Sequence, residues 1–136
     1  MQPREETHRS PVVERLLSLT LVAEAFENLT MGVFVTDSEL RFLAANATAL
    51  ELCGYTREEL LVLSAEEVVL RSRDDLLEIG RRAEREPHAA RIGIRRKDGD
   101  VVEIDTLTLP SKISALPVIL TLCERAATGP LAAVVL

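Results

Sequence analysis

At 136 residues, 47% of them apolar and 28% charged, the chain has room for one hydrophobic core and lies outside the composition of disordered segments. A formal net charge of −6 argues against a nucleic-acid surface, which needs clustered Lys and Arg; the densest basic run, Arg95-Arg96-Lys97, ends at once in Asp98 and reads as a solvated hairpin tip. No run of about 18 apolar residues is present to span a bilayer, and the polar start MQPREETHRS has no apolar stretch of a secretory signal.

Residues 1–10 read as a disordered tail. Ser10 is placed to cap a helix, with Pro11 at its first position and Glu14 at capping-box-like spacing. Val12, Val13, Leu16, Leu17, Leu19, Val22, Ala23 and Phe26 then recur at helical spacing over residues 11–28. That stripe is wide enough to pack on a sheet or on a second copy of itself. Residues 31–36 are rich in Val and Phe and read as a strand, Asp37-Ser38 as a turn, and residues 40–44 as the returning strand. Residues 46–52 form a short helix ended by Gly54. Thr56 with Glu59 and Ser64 with Glu67 match the capping box and open two more short helices. Over residues 73–85, Leu76, Leu77, Ile79, Gly80 and Ala83 mark a longer amphipathic helix that stops before Pro87.

From His88 the period changes to two. Ile92 and Ile94 mark a strand over residues 88–96, and Asp98-Gly99 is a two-residue hairpin signal. Over residues 101–109, Val102, Ile104, Thr106 and Thr108 alternate with Glu103 and Asp105, as in a half-buried strand. Residues 110–116 read as a loop, 117–124 as a last apolar strand, and 127–136 as a C-terminal tail. Strands grouped together, with helices between the groups, predict an α+β domain over residues 29–126 built on an antiparallel sheet.

Four segments carry a resemblance to the PAS family over about residues 24–126. Gly32-Val33-Phe34-Val35-Thr36-Asp37 is similar to the first PAS strand with its terminal aspartate, and Arg41-Phe42-Leu43-Ala44-Ala45-Asn46-Ala47 to the second strand running into an Asn-x-Ala helix start. Cys53-Gly54-Tyr55-Thr56-Arg57-Glu58-Glu59-Leu60 resembles the family's Gly-Tyr-Ser/Thr-x-x-Glu-Leu segment, and Arg95-Arg96-Lys97-Asp98-Gly99 its Arg-x-Lys-Asp-Gly hairpin. Each is weak alone; four in order are specific. The resemblance implies a five-stranded antiparallel sheet in spatial order 2-1-5-4-3, helices over one face, and an N-terminal helix that often forms a dimer. It also implies a sensory role in a bacterial-type regulator such as a sensor kinase or transcriptional regulator, in the cytoplasm, with an unidentified output partner. The family's closing Asp-Ile-Thr triad is replaced by Thr121-Leu122-Cys123, and residues 126–130 break any continuing helix. Both features point away from output through a C-terminal coiled coil.

Neither haem nor flavin is expected. A haem-binding member places a histidine on the long helix, where this chain has Asp74; His8 lies in the tail, and His88 at the helix-to-strand corner reads as solvated or capping. Neither Cys53 nor Cys123 lies in the sequence of a flavin photoreceptor, and both read as buried, inert thiols of a reducing compartment. No metal cluster, nucleophile triad or phosphate loop is present. The acidic pairs Glu58-Glu59, Glu66-Glu67 and Asp74-Asp75 fit helix starts, so no enzyme activity is expected. What remains is either a filled core or an aliphatic pocket for a small apolar ligand such as a fatty acid. Its candidate walls are Val33, Val35, Leu43, Leu50, Leu60, Val69, Leu77, Ile92, Ile104, Thr106, Leu120 and Leu122, with aromatic residues nearly absent. The alternative is a ligand-free dimerisation module using Val12, Leu16, Leu19, Ala23 and Phe26. Asp37, Asn46, Gly54, Asp98 and Gly99 are expected to be structural.

Overall fold

The computed structural model describes residues 10–113 and 116–135, so the expected N-terminal tail and His8 lie outside the described residues. Helix α1 (Pro11–Glu27) begins where sequence places it: the Ser10 hydroxyl accepts the Val13 N–H at 3.2 Å, and Pro11 needs no helical partner. Strands β1 (Gly32–Thr36) and β2 (Phe42–Ala45) pair antiparallel, followed by the short helices α2 (Ala47–Cys53) and α3 (Arg57–Leu60) and a 3-10 turn, Ala65–Glu67. Helix α4 (Arg73–Ala83) leads into β3 (His88–Arg95), β4 (Val101–Ile113) and β5 (Leu116–Arg125). A last turn, α5 (Ala132–Val135), ends the described chain.

The sheet runs β2-β1-β5-β4-β3 with every pair antiparallel. Strand β1, paired on both sides, is buried along its whole length, in keeping with the apolar Val33-Phe34-Val35 at its middle. The main core lies between α2, α3, α4 and the inner face, around Phe34, Phe42, Leu60, Val68 and Ile94. A smaller cluster, Val33, Val35 and Val118 with Phe26, Leu120 and Leu122, sits on the outer face.

Residues 110–116, expected as a loop, belong largely to a long β4–β5 ribbon pairing from Ile104↔Arg125 to Ile113↔Leu116. The prolines suggested otherwise, yet Pro110 stands past the last β3 pairing at Thr108, and Pro117 past the last β1 pairing at Ile119. One side of each strand therefore has no ladder bond to lose. Hairpin β3–β4 also turns in three residues, not two: Arg96 N–H donates to Asp100 O at 2.8 Å, and Gly99, at φ +95°, donates to Arg96 O at 2.9 Å. A turn ending on a left-handed glycine is the usual three-residue solution.

That hairpin tip is docked rather than solvated. Arg96 donates to Glu51 O and Leu52 O at 3.1 and 3.2 Å, the Lys97 N–H donates to Cys53 O at 3.0 Å, and the Lys97 ammonium pairs with Glu59. The terminal carbonyls of α2 have no helical partners, and the tip supplies them. Gly54, at φ +78°, ends α2 in the left-handed conformation beneath it.

The C-terminal residues expected as a tail fold back on the outer face. Cross-strand register sets Arg91, Asp105 and Glu124 in one row. Asp105 is fully buried, not half-solvated as its alternation suggested. Its carboxylate accepts Arg91 Nε at 2.7 Å and the Ala127 N–H at 2.8 Å, and Glu124 accepts the Leu131 N–H at 3.2 Å. Burial of Leu131 closes the segment onto the sheet. A carboxylate anchor at this exit thus exists, supplied by β4 and by Glu124 instead of an Asp-Ile-Thr triad. The Arg91 guanidinium holds the Asp105 carboxyl below the usual aspartate range against the opposing effect of desolvation.

Candidate ligand cavity

Between α4, the 3-10 turn and the inner face of β1, β3, β4 and β5 lies a cavity of about 80 Å³. Its floor is set by strand parity. Phe34 and Thr36 of β1, His88, Ala90, Ile92 and Ile94 of β3, Ile104, Thr106 and Thr108 of β4, and Ile119 and Thr121 of β5 all face it; Val68, Leu76 and Ile79 close the roof. Helix α4 is held over it by its Ser72 cap, whose hydroxyl accepts the Asp75 N–H at 3.1 Å.

Of the expected wall residues, Val69, Ile92, Ile104 and Thr106 line the cavity. Val33, Val35, Leu120 and Leu122 do not. They occupy the opposite parity of β1 and β5, pairing Val33↔Leu122 and Val35↔Leu120 in the outer cluster. Leu43 is 47% exposed. Leu60 is buried away from the wall, while Leu50 and Leu77 pack on the same core without reaching the cavity. The expectation of a pocket nearly free of aromatic groups also fails: Phe34 and Phe42 both line it, ring centroids 5.5 Å apart. His88, expected to be solvated or capping, opens β3 half-buried against the same space.

Missed were Thr36, Thr108 and Thr121. The available signal was register: once β4 is read with Thr106 inward, Thr108 follows, and Thr121 faces it across the β4–β5 pair. Among the described residues, no Lys, Arg, Asp or Glu lines the cavity. Cys53 and Cys123 are both buried free thiols; burial raises the first above its ordinary value and pushes the second up to about 12, so neither is a ready nucleophile. Asp74 is an exposed first-turn residue of α4. Among the described residues, no three His, Cys, Asp or Glu side chains are grouped to hold a metal, and no helix is long and apolar enough to cross a membrane.

The structural motif residues meet around α2 and the β1–β2 turn. Asn46 is fully buried and makes four hydrogen bonds: Oδ1 accepts Val33 N–H at 2.9 Å and Ala49 N–H at 3.0 Å, while Nδ2 donates to Phe26 O at 2.9 Å and Met31 O at 3.0 Å. Asp37 accepts the Glu39 and Arg41 N–H groups at 2.9 Å and pairs with Arg41 Nε at 2.8 Å. Asp98 accepts the Asp100 N–H within the hairpin.

The expected dimer helix is unpartnered. Val12, Leu16 and Leu19 are 59–67% exposed and Ala23 is exposed, while Phe26 reaches the outer cluster. None of the α1 residues is fully buried against the described part of the chain.

A family model described as PAS fold matches residues 20–111. The PAS domain of an HTR-like protein from Haloarcula marismortui superposes with a TM-score of 0.78 at 18% identity, covering 86% of this chain and 99% of that one. A PAS domain from a two-component sensor histidine kinase gives 0.69 at 12% identity over 82% and 98%. The PAS-B domain of Drosophila melanogaster Cycle, solved with bound ethylene glycol, gives 0.60 at 17% over 70% and 99%. At these identities the likeness shows the fold. No curated protein sequence matches the chain significantly.

Proposed function

The chain belongs to the PAS family, and from that premise we propose that it is the cytoplasmic sensory module of a bacterial-type regulator, a sensor kinase or transcriptional regulator. In this reading a small apolar or weakly polar molecule in the cavity biases a two-state equilibrium. The observation that carries the reading is the cavity itself. Space of about 80 Å³ is left between the helices and the sheet, where a core evolved for stability alone would be filled. The size argues for an occupant far smaller than haem, flavin or a long fatty acid. The buried free thiols suit a reducing compartment, and a wall whose sole titratable member among the described residues is His88 suits binding rather than catalysis. Likeness to a sensor histidine kinase domain supports the signalling role.

Xenon, an apolar probe of suitable size, tests the cavity. Under pressure it should shift the methyl resonances of Ile92, Ile94 and Ile104 saturably; no shift at these methyls overturns the ligand-binding reading. A second reading, homodimerisation through α1, is favoured by the exposed Val12, Leu16 and Leu19. Sedimentation velocity of a Leu16→Glu/Leu19→Glu variant should show monomer where the parent shows dimer. A dimer unchanged by the charges refutes that role for the helix.

A further inference from the structure

We infer that the cavity is built for a small neutral oxygen-bearing molecule, such as a short-chain alcohol, whose polar end sits on a row formed by His88, Thr108 and Thr121. The inference rests on the ligand-binding reading and specifies its chemistry.

The row follows from register. His88 on β3 pairs with Thr108 on β4, and Thr108 with Thr121 on β5. All three line the cavity, with Thr36 of β1 on the diagonal beside Thr121. Four residues further along each strand, past Ala90 and Thr106, the floor turns aliphatic at Ile92 and Ile104, so the cavity has a more polar end and an apolar end. Valine has the same shape as threonine and suits a strand at least as well; threonine at these positions adds only hydroxyls.

Those hydroxyls want partners. Thr106 donates to Ala90 O at 3.2 Å and is satisfied. Thr36, Thr108 and Thr121 have no such bond among the described residues, and their oxygens are not among the buried unpartnered atoms, so they open on accessible space instead of being sealed in the core. A hydroxyl facing that space is free to bond whatever enters it. An oxygen entering the cavity meets donors and acceptors already in place.

Charge and size narrow the class. With no Lys, Arg, Asp or Glu among the described wall residues, an ion would be buried without a fixed opposite charge, which favours a neutral occupant. The volume is about half that of a cavity of roughly 150 Å³ that takes benzene, leaving room for roughly three to five non-hydrogen atoms.

The test titrates 1-propanol and, separately, xenon into the parent protein, Thr108→Val, Thr121→Val and the double variant, following the isoleucine methyls. The parent should bind both probes saturably. The double variant should bind 1-propanol roughly tenfold more weakly, from the loss of two hydrogen bonds of about 0.7 kcal/mol each, while xenon binding persists and reports an intact fold. If the double variant does not fold, each single variant should show roughly a threefold loss. Equal 1-propanol affinity in parent and valine variants, with xenon still bound, overturns the polar row and leaves the ligand-binding reading standing. Xenon binding without saturable 1-propanol binding in the parent, a water filling the row, also overturns it. Failure of both probes in the parent overturns the cavity reading and this inference together.

Discussion

Replacing Asn46 tests how three elements are tied together. Its amide joins the end of α1 through Phe26 O, the entry to β1 through Met31 O and Val33 N–H, and the start of α2 through Ala49 N–H. Asn46→Ala removes an N-cap, worth about 1 kcal/mol, and strands three further backbone groups at about 1 kcal/mol each. The expected loss is about 3–4 kcal/mol. Asn46→Asp is the sharper probe, because it keeps the cap oxygen but turns a second oxygen toward two carbonyls. At neutral pH it should be at least as damaging as alanine, since a fully buried carboxylate gains no cation. Urea unfolding at pH 7, compared at equal slope, gives both numbers. An alanine variant within 1 kcal/mol of the parent, or an aspartate variant as stable as the parent, refutes the hub.

Other outcomes follow from single contacts. Asp105→Asn keeps an acceptor for the Ala127 N–H but discharges the pair with Arg91, which is about one-third exposed, and should cost about 2 kcal/mol at pH 7. Because the native Asp105 pKa is lowered, chiefly by Arg91, this stability is complete above the ordinary aspartate range and disappears as pH falls through the native value. Parent and variant unfolding curves should therefore converge in acid, and a constant gap from pH 7 to pH 2 contradicts the assignment. Cys53 and Cys123 should react with a thiol reagent in urea but not in the native protein, and fast native labelling of Cys123 would show that its burial is wrong. Leu60→Ala should cost about 2–5 kcal/mol by unfolding, whereas Leu43→Ser should stay within about 0.5 kcal/mol; a comparable loss at Leu43 would place it inside after all.

The fold was legible because its signals are local. Ser10, Asn46, Thr56 and Ser72 cap helices through their own side chains, and Gly54 and Gly99 adopt left-handed backbone. The cavity wall was harder because it depends on parity across strands. Val33 and Phe34 are equally apolar and equally buried, and only pairing with β5 shows which one faces the helices. Buried Asp105 escaped notice for a related reason: alternation marks it as outward, and nothing local says that residues 126–131 return to cover that side. Arg96 looked solvated because its partners, the α2 carbonyls, are 44 and 45 residues away in sequence.

If the domain senses, cavity occupancy must be felt at the surfaces through which a signal would leave. Backbone amide NMR with and without saturating 1-propanol measures this directly. Shifts are expected along β3, β4, β5 and α4, and also at residues 24–28, tied to β1 and α2 through Asn46, and at residues 126–131, held by Asp105 and Glu124. Shifts confined to the cavity wall, with both outlets unchanged, would contradict the sensory reading and leave a domain that binds without sensing.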